Sequence, residues 1–437
     1  MKPIKVGLLG LGTVGGGTLT VLRRNAAEIA RRAGRSIVVD KAAVRDLDKA
    51  ARVAGDLRLT RDPFAIVEDP AIDIVVELIG GLSPARELVL RAIENGKHVV
   101  TANKHLLAKF GNEIFAAAQG KGVMVGFEAA VGGGIPIIKA LREGLTANRI
   151  EWLAGIINGT SNFILSEMRD RGAPFADVLR EAQALGYAEA DPTFDIEGID
   201  AAHKLAILAA IAFGIPVQFD RVYTEGISAL TREDVRYAEE LGYRIKLLGI
   251  ARRAEQGIEL RVHPTLIPHR RLIANVDGAM NAILVMGDAV GPTLYYGAGA
   301  GSEPTASSVV ADLVDITRLA TADPHHRVPH LAFQPDQLAD TPILPMSEVR
   351  TAYYLRMRAE DRPGVLADMT RILADGEISI DAMVQKEPAA GEAEVDIILL
   401  THVTTERAVD AAIARIEALA AIRGRVMRIR LETLVAR

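Results

Sequence analysis

The sequence predicts an α/β protein. It should open with a parallel, doubly wound sheet, continue into an α+β segment and close with a β-α-β-β-α-β unit. Three observations carry this. Apolar runs of strand length alternate with helical patterns between residues 4 and 104, the signature of βαβ units. Beyond residue 130 the strand-like runs carry "HP" and "GP" turn signals, typical of antiparallel connections. The last stretch, after a Pro-rich segment, places strand and helix patterns in the ferredoxin-like order.

Taken in order, IKVGLL (4–9) reads as the first strand, followed by the turn GLGTVGGG and a helical pattern. SIVVDKAAVRD (36–46), AIDIVVELIG (71–80) and KHVVTANK (97–104) read as the next strands, with SPARELVLRAIENG (83–96) as a helix among them. Residues 1–135 form a Rossmann-type nucleotide-binding domain in this reading. Residues 136–328 form the second domain. Its strands are EWLAGIING, YRIKLLGIARRA, IELRVHPTLIP and NAILVMGDAVGPTLYYG, and its helices lie at 160–171, 175–185 and 198–213. Residues 329–349 read as a linker and 350–437 as the ferredoxin-like domain. A chain of 437 residues has room for such a division.

Composition narrows the function classes. Hydrophobic residues make up 49% and charged residues 24%, which suits a globular protein with large cores. The net charge of −5 supplies no basic field for nucleic acid. The absence of cysteine removes disulfides, thiolate catalysis and Cys-based metal sites. Lys2, Lys5 and the apolar run after them resemble a signal peptide, but the glycines between Gly7 and Gly17 favour a strand. No apolar run reaches the length of about 18 residues that spans a membrane. The expected location is the cytoplasm.

Gly10, Gly12 and Gly15 spell G-x-G-x-x-G between a strand and a helix. Glycine permits the tight turn, the approach of backbone to a pyrophosphate and close helix–strand packing. The helix N-terminus then favours the anion. At the end of the second strand stands Arg45, followed by Asp46. A guanidinium there suits a 2′-phosphate, so NADP is favoured over NAD, with dual use left open. Alternatively Arg45 pairs with Asp46 or Asp48. Lys104 follows the fourth strand, where ligands bind in open α/β sheets. A buried lysine there can serve as a cation for substrate or as an acid; the alternative is a surface lysine in a loop. Residues 131–136, Val-Gly-Gly-Gly-Ile-Pro, form an unusual turn that exposes backbone to a ligand or ion.

The stretch LGYAEADPTFDIEGIDAAHK (185–204) gathers Glu189, Asp191, Asp195, Glu197 and Asp200 ahead of Lys204. Asp200 and Lys204 are four residues apart and share a face if a helix starts near Gly198. Spacing alone also fits a solvated surface. The acids lack calcium-loop spacing, and HHRVPH (325–330) reads as a solvated loop rather than a zinc site.

This acidic run is similar to the signature of homoserine dehydrogenases. GLGTVG (10–15), TANK (101–104), EAAVGGGIP (128–136), NGTSNFIL (158–165) and GAGAGSEPTASSVVAD (297–312) resemble the same family in the same order. The resemblance implies reversible NAD(P)H-dependent reduction of L-aspartate 4-semialdehyde to L-homoserine, in threonine, methionine and isoleucine biosynthesis. It implies that Lys204 donates the proton to the aldehyde oxygen, beside Asp200. Glu189 would hold the substrate amino group, with Asp195 and Asp200 as further substrate-site acids and Lys104 near nicotinamide and substrate. The cofactor would contact Gly10, Gly12, Thr13, Val14, Gly15, Arg45, Lys104 and Gly301, the last in a glycine-rich turn from which a helix near 301–320 returns to the first domain. Backbone carbonyls of Glu128, Val131, Gly133 and Ile135 would hold a monovalent cation, usually sodium. The second domain would also carry dimerisation, and the chain would form a homo-oligomer, dimer or tetramer. The final domain resembles an ACT module, with DRPGVL (361–366) at its strand-to-helix turn and L-threonine as the implied effector. A dehydrogenase acting at the α-carbon would share the first domain without the Lys204 signature. A non-catalytic sensor would bind ligands without turnover.

Overall fold

The computed structural model describes residues 2–386 and 393–435. The chain divides into two compact units. One comprises residues up to 159, 200–222 and 279–341; the other comprises 160–199, 223–278 and residues from 342 onward.

The first unit is built on a six-stranded sheet. Its strands are β1 (Ile4–Leu9), β2 (Ile37–Ala43), β3 (Arg58–Thr60), β4 (Ile74–Glu77), β5 (His98–Thr101) and β6 (Val125–Gly126), in the order β3-β2-β1-β4-β5-β6. Every pairing is parallel. The order reverses direction at β1 and β4, which creates the crevice that doubly wound sheets use for ligands. Val6, Leu8, Ile74, Val76 and Val100 are fully or almost fully buried, as expected of strands covered on both faces. The helix Ser302–Leu319 belongs to the same core through Ala306, Val309 and Leu313. It packs closely on the first helix: a Cβ on Gly17 would lie 2.6 Å from the Ser302 carbonyl oxygen.

The first expected strand, 4–9, is present over its full length, and the other three expected strands of this sheet are present but shorter. The span 97–104 ends as a strand at Thr101, and Lys104 opens the helix Lys104–Lys121. Asn103 ends the extended run, because its side chain accepts the Leu106 N–H and caps that helix. The short strand β3 carries only three residues, too few for a periodic signal. The expected strand over 281–297 is a hairpin, Met280–Gly287 against Gly291–Ala298, with Met280–Gly287 also antiparallel to Ile150–Ile156.

In the second unit, Tyr243–Ala254 and Gly257–Pro268 form a long antiparallel hairpin. The C-terminal β-α-β-β-α-β order is present as Arg350–Glu360, Val365–Asp375, Ile380–Gln385, Glu394–Thr401, Glu406–Glu417 and Ile422–Leu431. Its core includes Tyr353, Leu355, Met369, Leu373, Ile397 and Val409. The last strand runs parallel to Gly257–Pro268 through Thr265↔Arg430 and Leu266↔Leu431, so one sheet continues through both groups of strands. Buried charges line this seam. Glu432 accepts from Arg252 at 2.8 Å and also from Arg261. Arg430 donates to Glu406 and, at 2.8 Å, to Glu225. Ile343 forms a bridge with Ile258.

Candidate functional site

The glycine turn has the conformation its motif requires. Gly10 has φ +98°, and a Cβ there would stand 2.9 Å from the Leu78 carbonyl oxygen. A Cβ on Gly15 would meet the Gly10 carbonyl oxygen at 2.2 Å, whereas one on Gly12 would meet nothing within 4 Å. The first two contacts require glycine for packing, and the third leaves open space beside the backbone. Gly12 caps the helix Thr13–Arg24 without a side-chain hydrogen bond, so N–H groups of its first turn, from Thr13 and Val14 onward, face that space. A dinucleotide phosphate fits this cradle. Gly301, at φ +124°, caps Ser302–Leu319, and Ser302 Oγ donates to the Thr13 carbonyl at 2.8 Å. Arg45 lies just past β2 and is exposed. Asp46 accepts the Lys49 N–H at 2.9 Å and caps the next helix.

Two lysines and one carboxylate meet in the first unit. Lys204 and Asp200 lie on the helix Ile199–Phe213, both on its buried surface. Lys204 Nζ donates to Asp200 Oδ2 at 2.6 Å and to the Ile157 carbonyl at 2.7 Å. Lys104 Nζ lies 3.2 Å from Asp200 Oδ1. Asn158 Nδ2 donates to Asp200 Oδ2 at 2.9 Å. Lys204 is 8% exposed and Asp200 4%, while the Lys104 side chain is about one-third exposed. Burial alone would push the Asp200 carboxyl up, but the Lys204 and Lys104 charges and the hydrogen bonds hold it well below the usual range. It is therefore ionised at any working pH. The arrangement is a buried ammonium fixed by a carboxylate and a carbonyl, with a second, partly exposed lysine beside it; such a cation can stabilise negative charge that develops on a neighbouring oxygen.

The Val-Gly-Gly-Gly turn places Gly132 and Gly133 consecutively at φ +72° and +54°. A Cβ on Gly133 would stand 2.4 Å from the Gly299 carbonyl oxygen. The Glu128 carboxylate accepts the N–H groups of Ile138 and Lys139, each at 2.8 Å, so it caps a helix start. Its backbone N–H donates to Asp312 Oδ2 at 2.8 Å. Burial pushes Glu128 up to about 7. Burial, then the Glu128 charge, pushes Asp312 up to about 8. The Gly133 carbonyl accepts from Ser308 Oγ at 2.7 Å and the Ile135 carbonyl from the Ile137 N–H at 2.8 Å. Among the described residues, no three His, Asp or Glu side chains gather as a metal site.

Glu189 and Asp195 belong to the second unit. Glu189 is exposed, and its backbone carbonyl accepts from Gln183 Nε2 at 3.0 Å. Asp195 lies in the short helix Thr193–Ile196, and its carbonyl accepts from Ser161 Oγ at 3.0 Å. Asp191 accepts the Thr193 N–H at 3.1 Å.

Sequence reasoning assigned no role to Asn158, the Ile157 carbonyl, His105 or His203. His105 and His203 adjoin the two lysines, and their rings stack at 4.8 Å. Both Asn281 amide atoms are buried without a hydrogen bond, against the Gly299 backbone. His330 is a correction. It is not part of a solvated loop, because its Nε2 accepts the Val125 N–H at 3.1 Å and its ring stacks on Phe115. Among the described residues, no helix is long and apolar enough to cross a membrane.

Comparison with known proteins agrees along the chain. Residues 10–128 match the homoserine dehydrogenase NAD-binding domain, 136–314 match homoserine dehydrogenase, and 353–421 match the ACT domain. A homoserine dehydrogenase of Pseudomonas aeruginosa is 66% identical over 434 residues, covering 99% of this chain and all of the relative. That of Neisseria gonorrhoeae is 59% identical over 434 residues, with 99% and 100% covered. The solved homoserine dehydrogenase of Thiobacillus denitrificans superposes with a TM-score of 0.96 at 84% identity, covering 99% of each chain. A hyperthermophilic archaeal homoserine dehydrogenase, solved in complex with NADPH, gives a TM-score of 0.63 at 25% identity, with 74% of this chain and 99% of that chain covered. With these matches over nearly its full length, the chain belongs to the homoserine dehydrogenases, NAD(P)-dependent oxidoreductases that act on a CH–OH group.

Proposed function

We propose that Lys204 gives the proton to the aldehyde oxygen of L-aspartate 4-semialdehyde as it becomes L-homoserine, and takes it back in reverse. The observation that carries this reading is one buried ammonium seated on a carboxylate and a carbonyl. Reduction builds negative charge on the carbonyl oxygen, and a positioned cationic acid lowers that barrier. The nicotinamide, when bound, supplies hydride to the substrate carbon or accepts it back. Asp200 keeps Lys204 oriented and protonated until the oxygen needs the proton. Lys104 approaches Asp200 from its other oxygen, near substrate and nicotinamide, and offsets the charge that Asp200 would otherwise present. Glu189 takes the substrate ammonium; its exposed carboxylate supports this. Asp195 and Asp200 complete the acidic side of substrate binding.

Gly10, Gly12, Thr13, Val14, Gly15, Lys104 and Gly301 hold the dinucleotide. Arg45 selects NADP, supported by its exposure and by the commitment of Asp46 to a helix cap. The carbonyls of Glu128, Val131, Gly133 and Ile135 hold a monovalent cation, sodium. They are neutral, hard oxygens, and each has a second lone pair beyond any hydrogen bond it accepts. The domain limits 1–135, 136–328, 329–349 and 350–437 follow the same reading. Residues 350–437 take L-threonine as effector near Gly364, whose φ of +95° opens the backbone at a helix start. Two or four copies assemble through the sheet that ends in Gly291–Ala298, where Tyr296 is exposed. The chain works in the cytoplasm, in threonine, methionine and isoleucine biosynthesis.

Replacing Lys204 with alanine tests the central assignment. Lys204→Ala should lower turnover by about 10²–10⁴-fold, with cofactor affinity retained in a fluorescence titration. Near-normal turnover would remove Lys204 as proton donor.

A further inference from the structure

The geometry points to His105 and His203 as positioning residues: their stacked rings hold Lys104 and Lys204 at the spacing where one carboxylate, Asp200, serves both. This rests on the reading of Lys204 as proton donor.

Each histidine is the chain neighbour of one lysine. His105 follows Lys104 in the first turn of Lys104–Lys121, and His203 precedes Lys204 in Ile199–Phe213. The rings lie 4.8 Å apart at an interplanar angle of 19°. The His203 ring also meets Phe219, with centroids 4.2 Å apart. Lys109 Nζ sits 4.5 Å from the Phe219 centroid and pairs with Asp220 at 2.7 Å. His105 and Lys109 are one turn apart on the same helix face. The column His105–His203–Phe219–Lys109 therefore begins and ends on one helix and clasps a residue of the other. The column adds flat, rigid contacts between the two helices beside the long, flexible lysine side chains, which by themselves define a spacing poorly.

The column depends on neutral rings. His203 is 2% exposed. Burial, then the neighbouring His105, hold it down to about 4, with Lys104 and Lys109 adding to the effect and Asp200 opposing it. Burial, then Lys109 and Lys104, also lower His105. A proton on either ring would add a cation beside Lys104, Lys109 and Lys204. Asp200 already serves two lysines and Asp220 a third. Acid should thus loosen the lysines before it protonates Asp200.

The test compares His203→Ala, His203→Phe and His105→Phe with Lys204→Ala in homoserine oxidation. His203→Ala should lower kcat about 10–100-fold, the cost of a misplaced reacting group, with the KM for cofactor unchanged. His203→Phe keeps a flat ring and should restore most of kcat. Its acid limb should move to lower pH, because no proton can enter there. Should His203→Ala fail to fold, His105→Phe, at a half-buried position, carries the same acid-limb test. Wild-type kcat in His203→Ala, no rescue by phenylalanine, or an unmoved acid limb in both phenylalanine variants would each overturn the proposal. An active Lys204→Ala would instead sink the proton-donor reading. An inactive Lys204→Ala beside a fully active His203→Ala would sink the stack alone.

Discussion

Lys204 Nζ and Asp200 Oδ2 lie 2.6 Å apart, one helical turn from each other, and both are buried. A charge pair at this depth is held by what surrounds it. Lys104 and Asn158 also bind Asp200, and the Ile157 carbonyl accepts from Lys204. Removing the carboxylate would leave two ammonium groups facing each other. Asp200→Asn should therefore lower turnover by about 10²-fold or more while the protein remains folded by circular dichroism. Turnover within twofold of wild type would mean that Lys204 does not need this partner.

Glu189 tests the substrate end separately. A charge-assisted hydrogen bond contributes about 1.5–3 kcal/mol, or roughly 10–150-fold in affinity. Glu189→Ala should raise the KM for homoserine by an amount in this range and leave kcat within a few-fold. Steady-state kinetics at saturating cofactor give both numbers. An unchanged KM would take Glu189 out of the amino-group site.

The seam between Gly257–Pro268 and Ile422–Leu431 gives a stability prediction. Glu432 is 5% exposed and faces Arg261, which is fully buried, and Arg252. Glu432→Gln should cost about 3–5 kcal/mol, because it leaves a buried guanidinium short of charge. Its pH dependence has a defined sign. Burial would raise the Glu432 carboxyl, but Arg261 and Arg252 hold it down to about 2, against an ordinary value of 4.5. A lowered carboxyl stabilises the fold above its unfolded value and loses that contribution as pH falls. The gap between wild type and Glu432→Gln in urea unfolding should be full at pH 7 and shrink from about pH 4.5 towards 2. A gap that stays constant through that window would exclude the ion pair as its source.

Legibility in the sequence followed the range of the contacts. The glycine turn, the alternation that builds β1, β2, β4 and β5 and the C-terminal β-α-β-β-α-β order were readable, because each depends on neighbours a few residues apart; β3 and β6, with three and two residues, were too short to show. The Asp200–Lys204 pairing was readable as a helical spacing, although spacing alone fitted a solvated surface better. What decides between the two is burial supplied from distant segments. Asn158 lies 42 residues from Asp200, and Ile157 lies 47 from Lys204. No periodicity encodes such contacts. The His105–His203 stack was missed for the same reason. So was the pairing of Gly257–Pro268 with the final strand, which joins two patterns that each looked self-contained. His330 was read as solvated because it stands at the entry to a Pro-rich segment with no spaced carboxylate beside it; its partners, Val125 and Phe115, lie about 200 residues away.

Chemical rescue of Lys204→Ala is the most direct measurement of the central claim. Homoserine oxidation by this variant should be slow and should recover on addition of a small primary amine such as methylamine. Across a series of amines, the recovered rate should follow amine basicity as general acid–base catalysis requires. A variant that binds cofactor and homoserine normally yet gains nothing from any amine, or one that already turns over at the wild-type rate, would contradict Lys204 as the group that carries the proton.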